Sequence, residues 1–283
     1  MTYVMSDIHG DLIGFQAMLE KINFSENDVL YILGDVIDRG LEGIAILQQI
    51  MATPNMVLLL GNHEHMMIDY LYYGNCEYGK SVWAFNGGMP THWEYKKLSV
   101  EEKDKMKEFL LGLPDALTIL VADQEFHLVH GCPADNLHDR IWGRIDPKQG
   151  YPAFSKTVIV GHTPVQNYGM SEILQMGNVI DIDCGNGFPK GRLACLRLED
   201  MTDFYIYKEG DEMDERYEKG MRFHVSGDSA ELWLSGYNVR VDTDGRIERT
   251  PKKTDKKVLV TLDSIDHDDN VCISIRKDKL RIF

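Results

Sequence analysis

Four short segments, Asp7-Ile8-His9, Gly34-Asp35-Val36-Ile37-Asp38-Arg39-Gly40, Gly61-Asn62-His63-Glu64 and Gly161-His162, each follow a run of apolar, β-prone residues. That repetition leaves few folds open. In layered α/β sheets the residues just past the carboxyl ends of the strands converge on one edge, and ligands bind there. Aspartate, histidine and asparagine are hard or borderline donors that together suit two divalent cations. The chemistry they point to is metal-assisted attack on phosphorus.

The spacing of apolar residues predicts the frame. Tyr3 to Met5 reads as a strand, Leu12, Phe15, Leu19 and Ile22 as one face of a helix, and Val29 to Leu33 as a second strand. Leu41, Ile44, Leu47 and Ile50 then mark a second helix, and Met56 to Leu60 a third strand. This rhythm is that of βαβ units with buried strands. The stretch 63–112 reads as helices and loops forming a cap, and Ser99 to Glu102 is a capping box for a helix ending at Gly112. Strands return at Leu117 to Val121, Phe126 to Val129, Val158 to Val160, Val179 to Ile182, Leu193 to Leu198 and Phe204 to Tyr207. Sequence-adjacent strands of this kind predict a second, partly antiparallel layer.

A chain of 283 residues that is 43% hydrophobic can bury a full core, either as one large domain or as a domain with an appendage. We expect a catalytic domain over 1–207 and a β-rich extension over 208–283, where a charged stretch (Glu209 to Lys219) gives way to short alternating strands. Asp242 to Gly245 and Asp268 to Asn270 read as turns between them. The first of these resembles a calcium loop only faintly, because no terminal glutamate sits at the required spacing.

No run of about 18 apolar residues is present to span a bilayer, and the start of the chain resembles no signal peptide, so the expected location is the cytoplasm. The five cysteines are odd in number and form no CxxC pair, which fits reduced thiols; Cys132 and Cys184 lie near candidate site residues. A formal charge of −15 argues against bulk nucleic-acid binding and against a membrane surface as partner. A local phosphate pocket stays open, because bound cations supply their own positive field.

Read as a constellation, Asp7 and His9 lie two apart on an extended segment and so share a side. Asp35 can bridge two ions through its two oxygens. Asn62, His130 at the end of one strand and His162 at the end of another would complete the second set of ligands. A water shared by two metals is acidified towards neutral pH and becomes the expected nucleophile for in-line attack on a phosphoester. Arg39 is placed to neutralise the phosphoryl oxygens, with Arg144 as the second arginine and Arg140 as its competitor. His63, adjacent to Asn62 but assigned no metal, can protonate the leaving group, and Asp38 can orient it. His65, His92, His127 and His138 stand at no strand end and receive no role.

These segments resemble the metallophosphoesterase superfamily, and within it the phosphoprotein phosphatase family, especially its bacterial and phage-type serine/threonine members. The matching residues are Asp7 to Gly10, Gly34 to Gly40, Gly61 to Glu64, His130-Gly131 and Gly161 to Thr163, with softer matches at Trp83 to Gly88 and Trp142 to Arg144. The resemblance spans about residues 1–200 and matches nothing after 208. It implies a mixed α/β, four-layer β-sandwich flanked by helices, to which the sequence pattern adds the β-rich appendage. It also implies two divalent ions, manganese foremost, with iron or zinc as alternatives. Asp7, His9 and Asp35 would take the first ion, and Asp35, Asn62, His130 and His162 the second. Arg39 and Arg144 would clamp phosphate, and His63 with Asp38 would form the acid pair.

The activity so implied is hydrolysis of phosphomonoesters, with phosphoserine or phosphothreonine in proteins as substrate. The nearest rival is a symmetrical dinucleoside tetraphosphate hydrolase, whose corresponding segment usually reads Ala-Arg-Gly where this chain has Asp38-Arg39-Gly40. Phosphodiester cleavage is third, and a non-catalytic scaffold is a different class, disfavoured because every ligand position and His63 are present.

Overall fold

The computed structural model describes residues 1–74, 78–145, 155–188 and 190–207, and beyond them the backbone of six strands between residues 222 and 282. The chain divides into two compact units, Met1–Asp211 and Glu212–Phe283. In the first unit, β1 (Thr2–Met5), β2 (Val29–Ile32) and β3 (Met56–Leu58) run parallel, linked by α1 (Leu12–Lys21) and α2 (Gly43–Met51). The cap follows as α3 (Asn62–Tyr72), α4 (Tyr78–Phe85), α5 (Met89–Lys97) and α6 (Val100–Leu111). Ser99 caps α6 by accepting the Glu102 N–H, as the sequence predicts.

A second sheet contains β4 (Ala116–Val121), β5 (Gln124–Val129), β6 (Thr157–Val160), β7 (Leu174–Met176) and β8 (Val179–Asp181), in the order β4-β5-β6-β8-β7, with α7 (Leu137–Trp142) between β5 and β6. The chain then returns to the first sheet as β9 (Arg192–Arg197) and β10 (Thr202–Tyr207), giving β10-β9-β1-β2-β3. Both sheets are mixed. In the second sheet the parallel pairs are central and the antiparallel ones lie at the edges, whereas the first sheet is parallel from β1 to its edge strand β3 and antiparallel from β1 through β9 to β10.

Alternation along each central strand builds two cores at once. On β1, Tyr3 and Met5 face the helices, where Phe15, Met18, Leu47 and Ile50 meet them, while Val4 faces the second sheet and packs with Phe126, Leu128, Ile159 and Ile180. Val158, Val160 and Val129 form a further small cluster on the other face of the second sheet. One expectation fails here: Leu41 is not on the buried face of α2, which starts at Gly43, and it is 67% exposed. The loop carrying Asp38 and Arg39 has positive φ at both residues and delays the helix, so the 3.6-residue spacing that included Leu41 was coincidental.

In the second unit, β11 (Arg222–Ser226), β12 (Ser229–Leu234), β13 (Tyr237–Asp242) and β14 (Ile247–Pro251) form an antiparallel sheet, and β15 (Val258–Leu259) pairs with β16 (Arg281–Ile282). The expected turn at 242–245 lies outside the described residues apart from Asp242, and the charged stretch at 209–219 and the turn at 268–270 lie wholly outside them.

The strand ends approach one another closely. Gly34, at the end of β2, has φ +90°, and a Cβ there would stand 2.5 Å from the backbone of Gly61 at the end of β3. Gly34→Ala combines a left-handed alanine with overpacking, and it should lower unfolding free energy in urea by about 2–4 kcal/mol.

Candidate metal centre

The strand ends gather the expected residues at one edge of the first unit. β1 stops at Met5, and Asp7 and His9 adopt left-handed backbone with φ of +53° and +50°. The extended geometry expected for them is therefore wrong, although both side chains still meet: His9 Nε2 lies 3.7 Å from Asp7 Oδ1. Asp35 (φ +55°), Asp38 (+70°), Arg39 (+65°) and His162 (+67°) share this conformation. Non-glycine residues enter it at a cost of about 1–2 kcal/mol each, so the surrounding contacts must hold them there.

Those contacts are identifiable. Glu64, fully buried, accepts the backbone N–H groups of Asp35 (2.8 Å), Val36 (2.9 Å) and Gly61 (3.1 Å). Asp35 Oδ1 in turn accepts the N–H of His63 at 3.0 Å, and Asp7 Oδ2 accepts that of His162 at 3.0 Å. Ser6 donates its hydroxyl to the same Asp7 oxygen. Asp7 and Asp35 thus each have one oxygen anchored by a backbone N–H and the other turned towards the neighbouring histidines.

Asp35 is the hub. Its Oδ2 lies 3.9 Å from His9 Nε2 and 3.7 Å from His63 Nε2, and its Oδ1 lies 3.4 Å from His130 Nε2. Asn62 Oδ1 stands 3.0 Å from His130 Nε2. Donors about 2.1 Å from one ion and at right angles are about 3 Å apart, so these separations suit ligation. Asp35, His9 and His63 form one group of converging donor atoms, and Asp35, His130 and His162 another.

Protonation geometry tests whether a cation fits. His9 Nδ1 faces the carbonyl of Ile37 at 3.1 Å and His130 Nδ1 that of Leu33, so both nitrogens must be donors. The His9 ring, kept neutral by burial, then turns its Nε2 lone pair towards the Asp7 and Asp35 carboxylates, an arrangement of acceptors against acceptors that a cation resolves. His162 Nε2 is buried without any hydrogen-bond partner. The residues present therefore fit a metal centre.

The electrostatics carry the same tension. Burial opposes charge on His130, yet the Asp35 carboxylate outweighs it and pushes the imidazole up to about 10. Burial raises Asp35, but His130, His63 and His9 together hold it well below the usual carboxylate range. His162 is driven down to about 3, by burial first and then by His130. Burial and the Asp35 charge raise Glu64 to about 7.

Beside this cluster, Asp38, His63 and Arg39 form a hydrogen-bonded group in which the first two are fully buried. His63 Nδ1 is 2.7 Å from Asp38 Oδ2, which also accepts the Trp83 indole N–H at 2.7 Å. Thr91 Oγ1 accepts the Asp38 N–H, and the Gly87 carbonyl accepts that of Arg39. The Trp83 to Gly88 segment is thus the clamp that holds the Asp38-Arg39 turn. Arg39 donates to His63 Nε2 at 3.3 Å and lies over the Phe188 ring at 4.4 Å. Arg144 donates to Thr163, next to His162, whereas Arg140 is engaged by Asp115 and the Ala134 carbonyl.

Sequence reasoning overlooked three contributors. Glu64 was quoted within a motif and given no task, although a glutamate three residues after a helix N-cap is a known amide acceptor. Trp83 was noted only as a likeness. The end of β8 and the segment after it receive no site role from the sequence: Asp181 and Asp183 are buried near the Asp7 charge, Asn186 donates to the Ile8 carbonyl, and Gly187 leaves no room for a side chain between His9 and Arg39. Its signal was the same as elsewhere, a strand followed by polar residues and glycines.

Residues 2–182 match the calcineurin-like phosphoesterase family. The chain belongs to that family. This membership makes it a metal-dependent hydrolase of the phosphatase type, in a family built on a dinuclear metal centre. It is 27% identical to serine/threonine-protein phosphatase 2 of Salmonella typhimurium over 220 residues, covering 70% of this chain and 92% of that protein. Serine/threonine-protein phosphatase 1 of the same organism is 26% identical, over 70% of this chain and 91% of its own length. A symmetrical bis(5'-nucleosyl)-tetraphosphatase of Wigglesworthia glossinidia brevipalpis is 42% identical, but over 64 residues, 22% of this chain and 24% of that protein. In fold the chain is similar to the crystal structure of a candidate diadenosine tetraphosphatase, with TM-score 0.51 at 14% identity over 73% of this chain and 92% of that one. No helix among the described residues is long and apolar enough to cross a membrane.

Glu64→Gln turns an amide N–H₂ towards backbone donors that need an acceptor. We expect a loss of about 2 kcal/mol in urea unfolding and manganese affinity at least about tenfold weaker by calorimetric titration, because Asp35 loses its anchor.

Proposed function

We propose that the protein hydrolyses phosphomonoesters, with phosphoserine or phosphothreonine in proteins as its substrate class. The observation that carries this reading is the Asp38-His63 pair beside Arg39, an acid and a phosphate clamp at the rim of the metal-ligand cluster. Asp7, His9 and Asp35 would hold one divalent ion and Asp35, Asn62, His130 and His162 a second, with manganese as the assigned metal. Bound there, the ions would polarise the phosphoryl group and acidify water.

The chain's own residues do the rest. Arg39 spends one N–H on His63 Nε2. A phosphoryl oxygen is the stronger acceptor and would draw the guanidinium to itself, freeing that nitrogen. Burial opposes a charge on His63, but Asp35 and then Asp38 overcome it and raise its pKa. The imidazole can therefore hold a proton on Nε2 and deliver it to the leaving oxygen as the P–O bond breaks, while Nδ1 keeps its hydrogen bond to Asp38. Arg144, on the Thr163 side, would bind the opposite phosphoryl edge. His63 also groups with His9 and Asp35 as a possible ligand, but the adjacent guanidinium disfavours a cation at its Nε2. The three described cysteines are free, which suits a cytoplasmic setting. Residues 1–207 are assigned as the catalytic domain and 208–283 as an extension.

Calorimetric titration of the metal-stripped chain should find two manganese ions per chain, and Asp35→Asn should abolish tight binding of both. A panel of a phosphopeptide, an aryl monoester, an aryl diester and diadenosine tetraphosphate checks the substrate. Fastest turnover is expected on the monoesters, and preference for the tetraphosphate would move the chain to the rival activity. His63→Asn should lower kcat on alkoxide-leaving phosphopeptides by about 10²–10⁴-fold and on an activated aryl ester far less. Equal losses would remove His63 from the acid role.

A further inference from the structure

Beside the metal centre the first unit opens into a cavity of about 570 Å³ that starts at His9 and Arg39 and extends between α1 and β10. Its floor includes Gly10, Gly40 and Gly187, so backbone rather than side chain lies against whatever enters. Its walls carry Ile13, which is 79% exposed, Leu41, 67% exposed, and Tyr207, 38% exposed. Ile13 and Leu41 are among the most exposed large aliphatics described, and both line one cavity that leads to the rim of the site. Apolar side chains left open at the mouth of a ligand cavity gain burial when a ligand arrives.

Charge narrows the occupant. Besides Arg39 and His9, the ionisable walls are Asp11, Glu42 and Tyr207, and no lysine or second arginine is among the described lining residues. Asp11 is occupied in capping α1 and in accepting from Asn186, whereas Glu42 makes no side-chain cap bond to α2. A chain of further phosphates running from Arg39 into this space would meet the Asp11 and Glu42 carboxylates and, among the described lining residues, no further cation. An apolar side chain with a basic neighbour meets complementary walls.

Resting on the phosphomonoesterase reading above, we infer that this cavity is a subsite for the residues flanking a phosphorylated serine or threonine. It takes an aliphatic or aromatic side chain against Ile13 and Leu41 and a basic one facing Glu42. The site thereby selects peptides and disfavours polyphosphates.

The test uses the full manganese-loaded chain and two phosphoserine peptides, one with leucine and arginine beside the phosphoserine and one with glutamates there. Binding is read by fluorescence anisotropy and turnover by phosphate release, with an aryl monoester as reference. The wild-type chain should bind the leucine-arginine peptide about tenfold more tightly, and this should show in KM rather than kcat. Ile13→Glu and Leu41→Glu, both at exposed positions that keep the fold intact, should remove most of that preference, and Glu42→Lys should shift it towards the acidic peptide. Losses on the peptide should exceed those on the aryl ester. Equal binding of both peptides by the wild-type chain, or variants that lower peptide and aryl ester alike, would overturn the subsite. Diadenosine tetraphosphate competing with the peptide less well after Ile13→Glu would assign the cavity to a nucleotide and overturn it too. Absence of turnover on every monoester would refute the phosphatase reading, while the anisotropy preference would still decide the subsite.

Discussion

A single buried carboxylate holds the centre together. Glu64, on the first turn of α3, accepts the amides of Asp35, Val36 and Gly61, and so ties the ends of β2 and β3 to one helix. Backbone amides in a buried loop must find acceptors, and here three of them find the same one. With the loop fixed, Asp35 can stand among His9, His63 and His130, and Gly34 can lie against Gly61 without a side chain between them. The cluster of converging Asp and His donors depends on this anchor, although both Glu64 oxygens are spent on backbone amides.

Left-handed backbone is the second device. Asp7, His9, Asp35, Asp38, Arg39 and His162 all have positive φ, so the chain turns sharply after β1, β2 and β6 and brings polar side chains back towards the edge of the sheet. An extended continuation would have sent alternate side chains to opposite faces. The strain is concentrated at the candidate site, and at the Asp38-Arg39 turn it is offset by a hydrogen bond from the Trp83 indole to the Asp38 carboxylate and by bonds that the Asp38 and Arg39 N–H groups donate to Thr91 Oγ1 and the Gly87 carbonyl. The cap helices are therefore part of the site's support.

Much of this was legible in the sequence because burial and alternation act locally. The strand and helix segments of the first unit follow from the spacing of Tyr3, Val4, Met5, Phe15 and their equivalents, but the sequence reading places β9 and β10 in the second layer, whereas they return to the first sheet beside β1, a pairing between residues almost 200 apart that no local pattern encodes. Leu41 misled, because a helical spacing can extend by chance into a turn, where local backbone geometry overrides it. Asp7 and His9 were placed in the right neighbourhood by an incorrect local geometry. Trp83, Asn186 and Gly187 were not legible as supports, since their partners lie 45 residues away in one case and 178 in another.

The sequence by itself determined the family, the α/β layering and the identity of the polar residues at the strand ends, because those are written in motif order and in local periodicity. Only the tertiary structure decided how these residues are held. It showed that Glu64 anchors the loops, that Asp38 is shared between His63 and Trp83, and that Arg140 is committed to Asp115 while Arg144 reaches Thr163. It also showed a cavity whose walls come from α1, the Arg39 loop, the segment after β8 and the end of β10. These are contacts between residues far apart in the chain, and no local pattern encodes them.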